Sequence, residues 1–518
     1  MPRIGIFGWG LVAPKSPNLE SFARNLDASE SWLSAFHGFG PDNFLVGQPE
    51  LDFEAYHDWV DARFPPNRFP QLVDKMDPTV QLAIAAFIQS LDQNAGLEAE
   101  LQALGADAHV YFGTGLGCLP TIHHESLELD RAQRRWNAFW AAPERNTARR
   151  AHDESPDPAA PAHPETVEPA DRPDAQTLWD AYWTERSDGL AEYLEELKAI
   201  EGLKVEGDID SGKMAVMKEK RRQLARLEQK WQHPLPPWRA VSANLLWNIA
   251  NIPAAQVSML GQIRGLTFAP VAACSTFGVA LKLALDAIRC GDAKAVVVGA
   301  ADPPPHPLTV GGFYNARVIS ADAAVSKPLS ELRGTHVAGG SVCWIVGDYD
   351  YFTAKGFRAL GMEPLAVGTS SDADHIITPS QEGPTTAVHR ALSAAGLDAD
   401  AISGWDLHAT ATPGDFTEVA TLKAALPGPM IVTARKGTHG HGMAASGGWE
   451  LTAQYLGYER GRLFPTPLGQ DELNPEIHRL HDRFVFNTAC PAPEGPAGKL
   501  SMGIGGINAC VISRPWER

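Results

Sequence analysis

Short apolar runs alternate with longer Ala- and Leu-rich stretches along most of the sequence. That alternation leaves few options, because strands followed by helices build sheets covered on their faces by those helices. Strands are expected at Arg3–Phe7, Ala108–Phe112, Ala295–Gly299 and Ser341–Val346, then at Pro364–Gly368, Trp405–His408, Met430–Thr433, Arg483–Asn487 and Ala509–Ile512. Helical spacing marks Pro78–Asn94, Thr276–Arg289, Thr385–Ala395 and Ala444–Leu456. The turn-prone Gly347-Asp-Tyr-Asp350 stretch separates two comparable sets. The expectation is an α/β protein of two similar halves packed into one body.

At 518 residues the chain exceeds the size at which one core usually keeps growing. Its 44% hydrophobic and 20% charged content is that of a soluble globular protein. A net charge of -18 with no basic stripe argues against nucleic-acid binding. The six cysteines lack CxxC spacing and read as reduced thiols, without a zinc site or disulfide framework. Met1-Pro-Arg-Ile-Gly-Ile-Phe is a strand-like start without a leader, and no run approaches bilayer length. A soluble, cytoplasmic protein is expected.

One region interrupts the alternation. From about Arg145 to Asp174 the chain is charged and rich in Pro and Ala, a composition that buries too little surface to fold alone. A helical face follows, carrying Trp179, Tyr182, Trp183, Tyr193 and Leu197. A second helical run, Lys213–Trp231, carries Lys218, Lys220, Arg221, Arg222, Arg226 and Lys230. Residues 120–237 are expected to be an insertion, a helical hairpin with a flexible lead-in whose aromatic stripe packs against the body. The basic run reads as a solvated helix face, with attraction of an acidic carrier protein as the alternative. The body then comprises 1–119 with 238–347, and 348–518.

The chemistry concentrates at three places. Cys274 ends a strand-like approach, Pro270-Val-Ala-Ala-Cys-Ser-Thr, and a helix begins immediately after it. The positive end of that helix favours thiolate over thiol, although a free cysteine is also a common packing residue. His408 stands at the end of an expected strand in Leu407-His-Ala-Thr-Ala-Thr-Pro-Gly-Asp415, followed by Glu418. Lys436, His439 and His441 lie in a glycine-rich turn, Thr433-Ala-Arg-Lys-Gly-Thr-His-Gly-His-Gly442, that enters a helix. The His-x-His pair could also be read as metal ligands, but no nearby carboxylate or cysteine completes a set.

These three stretches, with Ser501-Met-Gly-Ile-Gly-Gly-Ile-Asn508, resemble the β-ketoacyl-acyl-carrier-protein synthases, condensing enzymes of the thiolase fold. Lys75-Met-Asp-Pro, Gly311-Gly-Phe-Tyr-Asn-Ala-Arg-Val-Ile-Ser320 and Ser370-Ser-Asp-Ala-Asp-His375 agree with the family as well, so the likeness spans nearly the whole chain outside 120–237. The resemblance implies a layered αβαβα arrangement of two halves. It implies that Cys274 takes the acyl chain as a thioester and that His408 and His441 flank a malonyl thioester. Lys436 would set the electrostatics, with Glu450 as ion-pair partner within the same motif. Backbone N–H groups of Cys274 and Ile504 would form an oxyanion hole. Thr410 and Thr412 match positions that hold the phosphopantetheine arm. No metal or redox cofactor is implied, since substrates ride on the phosphopantetheine of acyl carrier protein. A dimer is implied, with an identical or a related subunit.

The departures matter equally. Ile504 stands where the family has a gating Phe, and Phe277 stands where it usually has Gly. Phe277 either closes the acyl tunnel and lines the substrate site or fills core volume on the active-site helix. Ala409 replaces Gly, and the spacing from Pro413 to Asp415 is one residue short. Pro328-Leu-Ser-Glu and Ala338-Gly-Gly also differ from the family's stretches. Together they imply a specialised polyketide or fatty-acid synthase. Rival readings are a non-catalytic subunit of the chain-length-factor kind, or an acyltransferase or thioesterase using the same cysteine. Two glycine patterns, Gly8-Trp-Gly-Leu-Val-Ala13 and Gly113-Thr-Gly-Leu-Gly117, lack the context of nucleotide loops and are expected to be tight turns.

Overall fold

The computed structural model of the chain describes residues 2–40, 43–204 and 209–517. Strand Ile4–Val12 (β1) is buried at every position, which requires cover on both faces of its sheet. Four further strands complete that sheet: Ala108–Gly113 (β2), Thr267–Phe268 (β3), Ala295–Asp302 (β4) and Gly340–Asp348 (β5). Their spatial order is β1-β5-β4-β2-β3. A second sheet follows from Met362–Ser371 (β6), Gly404–Asp406 (β7), Ile431–Thr433 (β8), Ala497–Gly503 (β9) and Ile507–Pro515 (β10), in the order β6-β10-β9-β7-β8. Chain order maps onto spatial order identically in the two sheets. So does strand sense, with two antiparallel pairings followed by two parallel ones in each.

Helices fill three layers around these sheets. Pro78–Ser90 (α1) and Ile252–Gly261 (α2) cover the outer face of the first sheet. Thr276–Cys290 (α3) and Met443–Glu459 (α6) lie between the sheets in one apolar core. Glu382–Ala395 (α4) and Gly414–Ala425 (α5) cover the outer face of the second sheet. The layering is αβαβα. Among the described residues no helix is long and apolar enough to cross a membrane.

Residues 121–245 form a second compact unit. Taken by itself it is helical, with Thr147–Glu154, Arg172–Thr184, Asp188–Glu201, Ile209–Trp231 and most of Leu119–Ala141. Its aromatic stripe turns inward on its own helices. Trp136, Trp140, Tyr193, Ile200 and Leu227 form one core, and Ala141, Trp179 and Trp183 form another. Within the unit these two cores take up Trp136, Trp140, Trp179, Trp183 and Tyr193, so the stripe has partners among the unit's own helices. Its Pro- and Ala-rich lead-in makes aromatic contacts too: the His152 ring lies tilted against Trp183 at 4.8 Å, and His163 meets Trp179 edge-on. Residues 205–208 of the expected insertion lie outside the described residues.

Several sequence expectations change. Gly8-Trp-Gly-Leu-Val-Ala13 is no turn, since it lies within β1 and its continuation. A Cβ on Gly8 would sit 1.9 Å from the Ser90 carbonyl oxygen, and one on Gly10 would sit 2.1 Å from that of Ala86. These glycines let α1 lie directly on the strand backbone. Arg483–Asn487 is not a strand and contributes a single bridge, Phe484 to Val432. The strand pairing with β7 and β10 is instead Ala497–Gly503, whose Lys499 and Ser501 disguise a fully interior position.

Gly8→Ala is expected to destabilise the fold by at least about 1–3 kcal/mol, because the helix backbone must shift. Gly312→Ala, in a helix with nothing within 4 Å of the added carbon, should be neutral or stabilising by up to about 1 kcal/mol. Chemical denaturation of the two variants checks the contrast.

Candidate active site

The residue before Cys274 adopts a left-handed conformation, Ala273 at φ +47°, in the turn that leads into α3. Such strain in a non-glycine residue persists only where neighbours over-determine it. Here the Ser275 hydroxyl donates to the carbonyls of Ser501 (3.0 Å) and Ile507 (2.8 Å), tying the elbow to both flanks of the Gly503–Gly506 turn. That turn brings the Ile504 N–H to face Cys274 Sγ, beside the N–H of Cys274 itself.

His441 Nε2 lies 3.1 Å from Cys274 Sγ. The placement follows from the repeated topology: α3 follows β3 and α6 follows β8, and Cys274 and His441 each precede their inner helix by two residues. His408, just beyond β7, meets the His441 ring edge-on at 5.3 Å. Cys274, His408, His441, Ile504, Thr410 and Thr412 all line one cavity of about 540 Å³. The rest of its wall is mainly apolar, including Leu116, Leu119, Phe313 and Ile376. A larger open cleft of about 1040 Å³ beside Arg3 and Trp516 contains no cysteine or histidine among its walls.

Phe277 does not line the cavity. It is fully buried, edge-on to Trp344 at 5.1 Å, and 2.9 Å from where a Cβ on Gly448 would sit. It fills the seam between the inner helices, and Ile504 alone of the two departures faces the site. His439 and His441 point to different partners, His439 to Trp449 and Trp32 and His441 to Cys274, so the pair does not converge on one point.

Lys436 is fully buried and donates to Glu450 Oε1 at 2.6 Å and to the His408 carbonyl at 2.5 Å. Its Nζ also lies 3.4 Å from His408 Nδ1. An ammonium can only donate, so Nδ1 accepts and the proton of neutral His408 sits on Nε2. Burial, and next the Lys436 charge, hold both cavity histidines below their ordinary pKa, His441 at about 3. Both are neutral at pH 7.

The thiol departs from the expectation of a favoured thiolate. Burial pushes Cys274 up to about 11, outweighing the Ile504 N–H and the Lys436 charge that favour the anion. The helix start alone does not make this sulfur an anion; a neutral thiol stands beside a neutral imidazole.

Sequence reading missed the carboxylates that brace the site. Glu418 accepts from the N–H groups of His408 and Ala409, both at 2.7 Å, and Asp415 accepts from Leu329, Thr410 and Ala411. The shortened loop is thereby held, with the Thr410 and Thr412 hydroxyls 3.0 Å apart. Asp302 accepts from Gly115 and Leu116 on one side and from Ala444, in the first turn of α6, on the other. Carboxylates in the first turns of a helix, such as Asp415 and Glu418, or at a strand end, such as Asp302, look like surface residues in a sequence, and only the fold reveals their burial.

The N-terminal domain model of the beta-ketoacyl synthases matches residues 213–346, and the C-terminal domain model matches 363–468. A mitochondrial protein of Schizosaccharomyces pombe, named as a 3-oxoacyl-[acyl-carrier-protein] synthase, is 30% identical over 299 residues, covering 54% of this chain and 68% of that one. The chain belongs to the beta-ketoacyl synthase family. Nodulation protein E of Rhizobium meliloti is 31% identical over 218 residues, covering 41% of this chain and 54% of its own. The chain thus spans little more than half the length of that relative. Among solved structures, the ishigamide ketosynthase/chain length factor is 19% identical with a TM-score of 0.67, covering all of both chains. The fold is the thiolase fold.

Two outcomes are expected. Alkylation of Cys274 by iodoacetamide, read by peptide mass spectrometry, should be slow at pH 7 and still rise beyond pH 9; a plateau below pH 8 would contradict a neutral resting thiol. Asp302 is raised from 3.8 to about 7 by burial against three N–H donors. Its protonated form stabilises the native state fully below pH 4, and that contribution is lost as pH rises through 7. The melting temperature of wild type relative to Asp302→Asn should therefore fall between pH 4 and 7 and level off above pH 7.

Proposed function

We propose that the chain is a β-ketoacyl synthase that condenses an acyl group on Cys274 with malonyl-acyl-carrier-protein, in polyketide or specialised fatty-acid biosynthesis. The observation that carries this is the meeting of one thiol and two neutral imidazoles in one cavity, with His441 Nε2 at 3.1 Å from Cys274 Sγ.

In the first half-reaction Cys274 Sγ attacks the acyl thioester carbon while its proton passes to His441 Nε2. The carrier thiol leaves with that proton, and an acyl-Cys274 thioester remains. In the second, a malonyl thioester loses carbon dioxide and keeps the electron pair as an enolate. The Nε2–H of His408, with His441 beside it, meets the enolate oxygen. The enolate carbon attacks the acyl carbon, and the N–H groups of Cys274 and Ile504 hold the resulting oxyanion. Collapse expels the Cys274 thiolate, which takes up a proton. Thr410 and Thr412, on the cavity wall, are the proposed hydroxyl contacts of the phosphopantetheine arm. Lys436 and Glu450 stand behind His408 as charge and tether.

Acyl carrier protein is the proposed partner for both substrates, in keeping with the name of the fission-yeast relative. A dimer with an identical or related subunit is supported by the free edge of the first sheet. Strand β3 pairs only with β2, and around it Leu266, Phe268 and Val271 are 57%, 48% and 61% exposed. The ishigamide neighbour, named a ketosynthase/chain length factor, is in keeping with a related subunit.

The test is product analysis with an acyl-carrier-protein thioester, with and without malonyl carrier protein. A ketoacyl product two carbons longer, formed only with the malonyl donor, is expected. Hydrolysis or acyl exchange alone would establish a thioesterase or transferase instead. His408→Ala should still load Cys274 while condensation falls by about 100-fold or more. Leu266→Asp with Val271→Asp should turn a dimer into monomers on size-exclusion chromatography with light scattering.

A further inference from the structure

Behind the histidines lies a fully buried cluster of three basic and two acidic side chains: Arg435, Lys436, Lys499, Asp406 and Glu450. Lys499 rises from β9, a strand whose other interior residues are small or apolar. Its Nζ lies 2.8 Å from Glu450 Oε2 and 3.8 Å from Asp406 Oδ1, and it donates to the carbonyls of Leu500 (2.5 Å) and Leu407 (3.3 Å). Asp406 is held from the far side by Arg435 Nε at 3.2 Å and by the Thr433 hydroxyl.

Glu450 therefore has one oxygen for each lysine, Oε1 for Lys436 and Oε2 for Lys499. We propose that Lys499 is a positioning residue of the site, whose buried ammonium fixes the Glu450 carboxylate and the Leu407 carbonyl so that Lys436 and His408 are held in register. This rests on the condensing reading and adds to it a residue that touches no substrate.

Three arguments carry the inference. A buried ion cluster of this size contributes little net stability, because apolar residues of similar volume serve as well or better. Its position accounts for it: Asp406 and Arg435 lie within two residues of His408 and Lys436, Glu450 stands on α6, the helix that follows His441, and Lys499 closes the cluster from β9, the strand paired with β7. Removing Lys499 leaves Glu450 Oε2 buried against nothing, so the carboxylate must rotate or take up a proton. Either change loosens Lys436, whose other bonds go to the His408 carbonyl and Nδ1. Cys274 makes no direct contact with this cluster: His441 and the N–H groups of Ile504 and Cys274 face its sulfur, and Lys436 reaches it through its charge alone.

The role thus separates the two half-reactions. In Lys499→Met, loading of Cys274 should stay within about threefold of wild type, while kcat for condensation falls about 10- to 100-fold and KM for malonyl carrier protein holds. Lys499→Arg, which keeps the charge, should recover most of kcat. Because Lys499 acts through Glu450, Glu450→Gln and the double variant should show the same loss, with no further drop on combination. Should Lys499→Met fail to fold, Lys499→Gln and the arginine variant carry the same comparison.

Unchanged condensation in folded Lys499→Met or Lys499→Gln would overturn the role. So would equal losses in loading and condensation, which mark a merely structural residue, and so would losses additive with Glu450→Gln. A wild type that loads Cys274 yet forms no carbon–carbon bond removes the condensing reading, and this role with it. A wild type that condenses while its Lys499 variants match it removes this role alone.

Discussion

The contact between the two inner helices, α3 and α6, is the constraint on which the site depends. Each helix begins just after a functional residue, so the distance between their N-terminal ends sets the distance between Cys274 and His441. Gly448 permits the approach: a Cβ there would lie 2.4 Å from Val342 and 2.9 Å from Phe277. Phe277, edge-on to Trp344, fills the volume that the glycine leaves. Interiors packed this densely transmit small shifts, so the seam holds the nucleophile and its base to within a hydrogen bond. Duplicated topology then explains why one half supplies the sulfur and the other supplies both imidazoles.

Dryness governs the chemistry. The same burial that raises the Cys274 thiol to about 11 lowers His441 to about 3, so the resting pair is uncharged. In the proposed reaction an uncharged pair separates charge only as a bond forms to sulfur, and the N–H groups of Cys274 and Ile504 would meet the oxyanion at that stage. Permanent charges are kept one layer back, on Lys436, Glu450 and Lys499, paired with one another outside the cavity wall. Glu418, Asp415 and Asp302 serve backbone N–H groups and stiffen the loops on which the site stands.

Much of this was legible in the sequence, for physical reasons. Alternating strand and helix periods announce layered α/β architecture, and strongly apolar strands such as β4 and β5 leave no other choice. Cys274, His408 and His441 stand out because each lies at a junction between a strand and a helix. What stayed hidden depends on tertiary burial. Ala497–Gly503 carries a lysine and a serine and so lacks the look of an interior strand, yet that lysine closes the ion cluster. Phe277 was ambiguous because helical spacing cannot tell a residue facing a cavity from one facing a neighbouring helix. The thiolate expectation failed because a helix start is visible in sequence, whereas the desolvation that opposes it is not. The cores that the aromatic stripe of 121–245 forms with its own helices could not be read from the sequence, because amphipathicity shows that a face is covered, without showing by what.

The most direct test of the account is intact-protein mass spectrometry through a single turnover. The protein is mixed first with an acyl carrier protein thioester and then with malonyl carrier protein. The account predicts an acyl adduct that is absent in Cys274→Ala and that discharges as a ketoacyl chain two carbons longer, with release of carbon dioxide. An adduct that discharges only to water or to another thiol would contradict it, as would ketoacyl product formed by Cys274→Ala.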